Sequence, residues 1–471
     1  MTIVSGKQKK EGIQMNEKKY LKWYNKVGYG SGDLAANTVY ALLTSFVMIY
    51  LTDTVDLNAG VIGTLIMLSK FADGVTDIFF GRLMDKTHTK MGKARPWMLW
   101  SYVGNAICLV AIFAVPMSWG QTAQYVYFFI TYTLLNAVFY TANNIAYASL
   151  TALITKNNNE RVQMGSIRFM FALATNLVVA SITVSLVADL GGGAVGWRTV
   201  AIIYAVIGLV VNTIAVFSVK ELPDSELLDQ EETKTDVTAT EKLTFLESFK
   251  LLIANKYYLL ICVIYIFTYV QTGIAGVGIY YMTYVLGNPN LLGLFSLAQM
   301  FPMIIGLAVT PMLVQKMKGM YKVNLGGYTL AFVFRIGFMI GGYMGSIPLM
   351  LGCSVFAGLC SSPLTGDLNA LIAAASDWTY KTSGHRVDGT MFSCSSLGIK
   401  VGSGIGSALS GILLAAGGYI NGADVQPQSA LNMLQFMYLW FPMISIAIIW
   451  LCLKNLKVEQ ANAELDAKAG R

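Results

Sequence analysis

Along this chain long apolar runs are separated by short polar breaks. A run of about 20 apolar residues is what a helix needs to cross roughly 30 Å of hydrocarbon. Twelve such runs are present, at 33–52, 59–81, 97–116, 124–152, 166–188, 199–219, 258–286, 291–315, 324–343, 347–375, 390–416 and 431–453. The breaks predict orientation. Lys7, Lys9, Lys10, Lys18, Lys19, Lys22 and Lys26 precede the first run, and Lys86, Lys90, Lys93 and Arg95 follow the second. Lys156 and Arg161 follow the fourth, Lys316, Lys318 and Lys322 the eighth, and Lys381 and Arg386 the tenth. The breaks after the third, seventh and ninth runs carry no Lys or Arg. Basic breaks mark the cytoplasmic side, so both termini are expected there.

The break after the sixth run is long and acidic, opening with Glu221-Leu-Pro-Asp-Ser-Glu. It divides the chain into an N-terminal segment (1–30), a first set of six runs (31–219), a linker (220–257), a second set of six (258–453) and a tail (454–471). Two sets of six about a central linker predict an all-α membrane protein of two six-helix bundles, the major facilitator fold. No convincing sequence repeat is visible between the sets, so this expectation rests on the run count and the linker.

Composition agrees. Of 471 residues, 55% are hydrophobic and 13% charged, against about 25% charged in soluble proteins. Mean hydropathy is +0.56. The formal net charge of +7 sits at helix ends, where it meets headgroups, and implies no nucleic-acid partner. Cys108, Cys262, Cys353, Cys360, Cys394 and Cys452 all lie in apolar runs without CxxC spacing and read as reduced packing residues. The two histidines, His88 and His385, fall in breaks, and no GxxxxGK[ST] loop is present. No enzyme, cofactor or ATP-driven machine is expected, nor a cleavable signal peptide.

Candidate chemistry lies inside the runs. Asp73 and Asp77 share a helix face in the second run, with Lys70 three residues before Asp73. A carboxylate in lipid is costly unless paired or binding a cation, so the two acids read as a cation or proton site. One lysine neutralises only one of them; a purely structural Lys70–Asp73 pair is the alternative. Asn37 and Tyr40 offer an amide and an aromatic face on one side of the first run, a combination suited to a sugar; a contact between helices is the other reading. Tyr140, Thr141 and Asn144 stand at i, i+1 and i+4 in the fourth run, beside Asn143. One amide of Asn143-Asn144 is expected to bind helices, and Asn144 to face ligand. Arg168 either snorkels to headgroups or reaches the cavity. Lys400, about ten residues into a glycine-rich run, is too deep to snorkel easily and is read as pairing with Asp73 and Asp77 until a cation displaces it. Arg335 and Asp367 either pair or line the cavity, and Trp378 reads as an interfacial anchor.

These residues resemble the glycoside–pentoside–hexuronide:cation symporter family, the melibiose-permease group of the major facilitator superfamily. The resemblance runs from about Lys26 to the last run and is densest in the first half. Its carriers are Gly28-Tyr29-Gly30-Ser31-Gly32-Asp33, Asn37 and Tyr50-Leu51-Thr52-Asp53; Asp73 and Asp77 with Gly81 to Pro96; Tyr140-Thr141-Ala142-Asn143-Asn144-Ile145-Ala146-Tyr147; Glu160-Arg161 with Arg168-Phe169; and Asp377, Lys381-Thr382, Arg386 and Gly389 through Lys400. The resemblance implies a cation site at Asp73 and Asp77 with Thr141 as an oxygen ligand and Lys400 nearby; these acids would be the metal ligands if the cation is Na⁺. It implies a sugar site of Asn37, Tyr140, Asn144 and Arg168, with Asp73 bridging the two. The second break, with Gly81, Asp85, Lys86 and Arg95, resembles the facilitator loop motif and implies a conformational latch. The chain departs from melibiose-type members at Asn37 and Asn144, where they carry acids, and at Ala148, where they carry tryptophan. The stretch Asp377 to Lys381 also lacks their usual intervening acid. These departures bear on sugar specificity and on sodium use.

The implied function is import of a glycoside, pentoside or hexuronide by symport with H⁺ or Na⁺, through alternating access, by a monomeric carrier in the cell (inner) membrane. With Asn144 in place of a carboxylate the site has fewer hard oxygens for Na⁺, and two close carboxylates can share a proton, which favours H⁺. A lipid or lysolipid carrier of the same fold and a cation-independent sugar facilitator remain as alternatives.

Overall fold

The computed structural model describes residues 19–223, 245–385 and 388–468, and its named elements are all helices. The first set comprises α1 (Trp23–Thr54), α2 (Ala59–Asp85), α3 (Arg95–Ile112), α4 (Gln121–Ile154), α5 (Asn158–Asp189) and α6 (Gly193–Ser218). The second comprises α7 (Lys256–Ile274), α8 (Leu291–Met317), α9 (Met320–Tyr343), α10 (Ile347–Ser383), α11 (Asp388–Ala416) and α12, which joins Gln428–Gln435 to Phe441–Asn455. The chain extends α7 through Val277–Tyr280 and Tyr281–Val285; short helices Phe245–Ala254 and Val458–Lys468 flank the second set. Among the described residues, ten helices are long and apolar enough to cross a membrane.

Most rods outrun the apolar stretches that signal them, although α3 stops at Ile112, short of the end of its run. The first helix begins at Trp23, not near 33, and α10 continues to Ser383. Backbone hydrogen bonding continues past the hydrocarbon edge, where side-chain polarity no longer reports it. Trp378 and Lys381 therefore ride the end of α10. Trp378 meets the Tyr257 ring edge-on at 5.5 Å, and Lys381 Nζ bonds Asp466 of the tail helix at 2.7 Å.

A repeat emerges that residue identity alone conceals. Tyr50-Leu-Thr-Asp-Thr-Val-Asp56 closes α1, and Tyr281-Met-Thr-Tyr-Val-Leu-Gly287 closes the extension of α7. Both form a wide π turn, Tyr50–Thr54 and Tyr281–Val285. Val55 N donates to Tyr50 O at 3.2 Å, and Leu286 N to Tyr281 O at 3.1 Å. Leu57 N reaches Leu51 O, and Asn288 N reaches Met282 O, both at 2.9 Å. The seventh residue is left-handed in each copy: Asp56 at φ 63° and Gly287 at φ 69°. Glycine adopts that region freely and aspartate tolerates it. A second repeat caps helices. Glu221, after α6, accepts the amides of Lys93, Ala94 and Arg95 at 2.7, 3.0 and 2.9 Å; Glu459, after α12, accepts those of Met320 and Tyr321 at 3.0 and 2.8 Å. Each carboxylate satisfies orphan donors at the N-terminus of α3 or α9.

The core is joined at one end and divided at the other. Near Asp53, Leu42, Phe46 and Leu51 of α1 share one buried cluster with Val270, Ile274 and Tyr280, and with Leu414 and Leu434. Near the termini the two sets keep separate clusters, one around Tyr29, Met98 and Tyr147, the other around Tyr258, Ile264 and Ile449. Helices α2 and α11 carry the contact between sets toward mid-depth. A Cβ at Gly63 would lie 2.6 Å from the carbonyl of Ser407, and one at Gly411 would collide with that of Ala59. Small residues let these backbones touch. Gly411→Val is expected to destabilise the protein by about 1–3 kcal/mol through overpacking, read as a lowered midpoint in thermal unfolding in detergent.

At the terminus-bearing end, Glu160 ties the entry of α1 to α5. Its carboxylate accepts the amides of Tyr20 and Leu21 at 3.2 and 3.1 Å and the Thr155 hydroxyl at 2.7 Å, and Lys26 Nζ lies 3.3 Å away. Burial opposes ionisation, but the hydrogen bonds from Thr155, Leu21, Tyr20 and Lys26 outweigh it and hold its pKa below the ordinary glutamate value. A depressed pKa contributes stability that is present above the unfolded pKa and lost as pH falls through the folded one. Glu160→Gln is therefore expected to lower the unfolding midpoint at neutral pH, with the gap to wild type shrinking as pH drops below about 4.

Candidate functional site

Three helices converge on Asp73. Lys400 Nζ of α11 lies 3.1 Å from Asp73 Oδ2 and donates to the Asp73 carbonyl at 3.1 Å. Thr141 Oγ1 of α4 donates to Asp73 Oδ1 and lies 3.0 Å from the carbonyl of Asn136. The wide turn Leu134–Tyr140 just before Thr141 sets this i−5 contact, as such turns do at many functional sites. The sequence-predicted trio of Asp73, Thr141 and Lys400 is thus brought together. Lys70, buried one turn earlier on α2, donates to Ser403 Oγ of α11 at 3.2 Å. Asp77 lies on α2 one turn beyond Asp73; its side chain and that of Asp85 fall outside the described residues, as do the surroundings of Gly81.

A second cluster lies toward the terminus-bearing end. Arg168 Nε of α5 pairs with Asp33 Oδ2 of α1 at 2.6 Å, and its guanidinium stacks 3.9 Å from the centre of the Tyr147 ring on α4. Tyr147 donates to the Tyr29 carbonyl at 2.8 Å, with its oxygen also 3.2 Å from Asp33 Oδ2; Tyr29 returns a bond to the Tyr147 carbonyl at 2.6 Å. Arg168 therefore reaches inward and does not snorkel. Between the clusters, Tyr40 and Tyr140 stack with ring centres 6.3 Å apart. Asn144 shares the α4 face of Tyr140 and Tyr147 and is open, not packed. Its neighbour Asn143 is the helix-binding amide, donating to the Met98 carbonyl at 2.7 Å and to Asn212 Oδ1 at 3.3 Å. Asn37 is engaged between helices, accepting from Asn176 Nδ2 at 2.9 Å and donating to the Asp33 carbonyl at 2.8 Å.

Sequence reasoning passed over Asp33 as a site residue, along with Tyr147, Asn176 and Ser403. Asp33 is an acid at the mouth of the first apolar run, and Asn176 lies eight residues beyond Arg168 on the same face of α5. Either signal marks a polar layer facing inward. Elsewhere, Asp367 accepts from Asn324 Nδ2 at 3.0 Å, while Arg335 lies 5.0 Å from the centre of the Phe338 ring. In the α2–α3 break, Lys86 is exposed, and Arg95 Nε donates to the Val216 carbonyl at 2.9 Å. Together with Glu221, this docks the break onto the end of α6, within its own set.

The family described as MFS/sugar transport protein matches residues 28–459. The isoprimeverose transporter of Lactiplantibacillus pentosus is 28% identical over 456 residues, spanning 96% of this chain and 92% of that protein. The inner membrane symporter YicJ of Escherichia coli (strain K12) is 25% identical over 427 residues, spanning 89% and 88%. Among solved structures, a bacterial homologue of the human lysosomal transporter Spinster superposes with a TM-score of 0.67 at 14% identity, covering 93% of this chain and 98% of that one.

Proposed function

The chain belongs to the MFS/sugar transport protein family, in its glycoside–pentoside–hexuronide:cation group, and on that footing we propose that it imports a glycoside, pentoside or hexuronide by symport with H⁺ or Na⁺. It is a multi-span sugar transporter and not an enzyme. In this reading twelve spans form two six-helix halves, both termini are cytoplasmic, and a monomer works in the inner membrane. The divided end of the core then faces the cytoplasm. Relatives named as a symporter and as an isoprimeverose transporter support the reading.

The observation that carries it is the Asp73–Lys400 pair. Asp73 belongs to the first half and Lys400 to the second, so the bond spans the surface on which the halves move. A carboxylate deep in a membrane protein needs a positive partner. In the unloaded carrier Lys400 fills that role. A proton or Na⁺ arriving at Asp73, with Asp77 and the Thr141 oxygen as further ligands, displaces the ammonium and loosens α2 from α11. Sugar binds beside it, between the open amide of Asn144 and the Arg168–Asp33 pair, with the Tyr40–Tyr140 stack offering flat apolar surface. With both sites filled the halves can rock. Of the two cations the reading favours H⁺: Asp73 and Asp77, one turn apart on α2, can share a proton, and Asn144 stands where an acid would give Na⁺ a further hard oxygen.

Coupling of this kind is reciprocal: sugar and cation tighten one another by the same factor, typically about 5–150-fold. Calorimetric titration of the purified carrier with its sugar, across pH and with or without Na⁺, tests it. The reading requires the sugar Kd to fall by such a factor under one condition; a Kd independent of both cations leaves a facilitator.

A further inference from the structure

We propose that Asp53, Tyr284 and Tyr419 form the outer latch of the carrier, the hydrogen-bonded contact that shuts its non-cytoplasmic end and must part before substrate can enter. The inference rests on the two-half, alternating-access reading above and adds the site of closure.

The bonds cross from one half to the other. Asp53 Oδ2, at the end of α1, accepts from Tyr284 of the α7 extension at 2.5 Å; Asp53 Oδ1 accepts from Tyr419, just after α11, at 2.6 Å. Thr52 donates to Asp53 Oδ1 at 2.7 Å and shares a bond with Tyr280 at 2.8 Å. Below them Asn421 Nδ2 reaches Asp56 Oδ1 at 2.9 Å. Gly422, at φ 61°, brings its backbone against the Asp53 carbonyl, where a Cβ would lie 3.1 Å away.

The repeat locates this cluster on the axis relating the halves. Asp53 is the fourth residue of Tyr50–Asp56, and Tyr284 the fourth of Tyr281–Gly287. Equivalent positions of two repeats touch each other only at their pseudo-two-fold axis. A rocking motion that opens this end must separate them. The joined core beneath, shared by Leu51, Tyr280 and Leu414, shows the end shut while the opposite clusters are divided. The chemistry suits a reversible closure. The cross-half donors to Asp53 are neutral phenols, which a carboxylate can exchange for water as the halves part, whereas an ion pair would have to be pulled apart.

The test reads conformation without sugar or cation gradient, so it stands apart from symport. In the full chain with its six cysteines replaced by alanine, Asn144→Cys serves as reporter. A membrane-impermeant maleimide is applied outside right-side-out vesicles and, separately, outside inverted ones. Tyr284→Phe and Tyr419→Phe, which each remove one oxygen, and Asp53→Asn are each expected to raise labelling from the non-cytoplasmic side at least about fivefold, with a fall from the cytoplasmic side. A rise below about fivefold in either phenylalanine variant overturns the latch. If labelling shifts while uptake proves independent of any cation, symport falls and the latch stands.

Discussion

Asp73→Asn is expected to abolish uphill accumulation of sugar while sparing exchange of sugar down its gradient. Asparagine keeps the size of aspartate and can still accept from Thr141, but it carries no charge. It can neither take up and release a proton nor attract Na⁺, and Lys400 loses the anion it neutralises. Lys400 then keeps its neutral contact to the residue-73 carbonyl in place of the ion pair, and the α2–α11 contact is expected to weaken. The site then resembles the permanently neutralised, loaded state. In proteoliposomes the ratio of internal to external labelled sugar should fall to one under every gradient, while counterflow against preloaded sugar stays within about tenfold of wild type. Loss of counterflow as well would place Asp73 in sugar binding itself.

The second large effect is expected at Arg168. Its guanidinium does two things at once: it pairs with Asp33 at 2.6 Å and lies 3.9 Å over the Tyr147 ring. A lysine can neutralise Asp33 but cannot lie flat on a ring or offer a planar fork to sugar hydroxyls. Losing a charge-assisted hydrogen bond to ligand costs about 1.5–3 kcal/mol, so Arg168→Lys is expected to raise the KM for sugar about 10- to 150-fold with little change in maximal rate. Arg168→Ala strands Asp33 and should reduce folded protein as well, which size-exclusion chromatography in detergent would show. An unchanged KM in the lysine variant would make Arg168 a structural tie of α1, α4 and α5.

Much of the helix placement was legible in the sequence because lipid imposes a coarse rule: about twenty apolar residues, then a polar break. The candidate site was legible for a related reason. Asp73, Lys400 and Arg168 are conspicuous where hydrocarbon makes charge expensive. The cost of burying them also explains why Lys400 and Asp73 meet across more than three hundred positions of sequence. Neutral or boundary partners were harder to see. Tyr147 and Asn176 carry no charge, and Asp33 sits at the edge of its run, so hydropathy gave no alarm. The internal repeat escaped because it lives in the backbone: Tyr50 and Thr52 match Tyr281 and Thr283, while the shared wide turn and the left-handed Asp56 and Gly287 leave little trace in residue identity. Helix ends were misjudged where a rod continued past its apolar stretch, as at Trp23 and Ser383.

Uptake of a labelled glycoside and uronide panel into proteoliposomes, with an inward proton gradient, an inward Na⁺ gradient or neither, decides between symport and facilitated diffusion. One gradient is expected to drive at least one of these sugars above its external concentration, and Asp73→Asn to remove the effect. Equal uptake under all three conditions by the wild-type carrier would contradict symport, and would reduce the Asp73–Lys400 bond to a structural tie in a cation-independent facilitator.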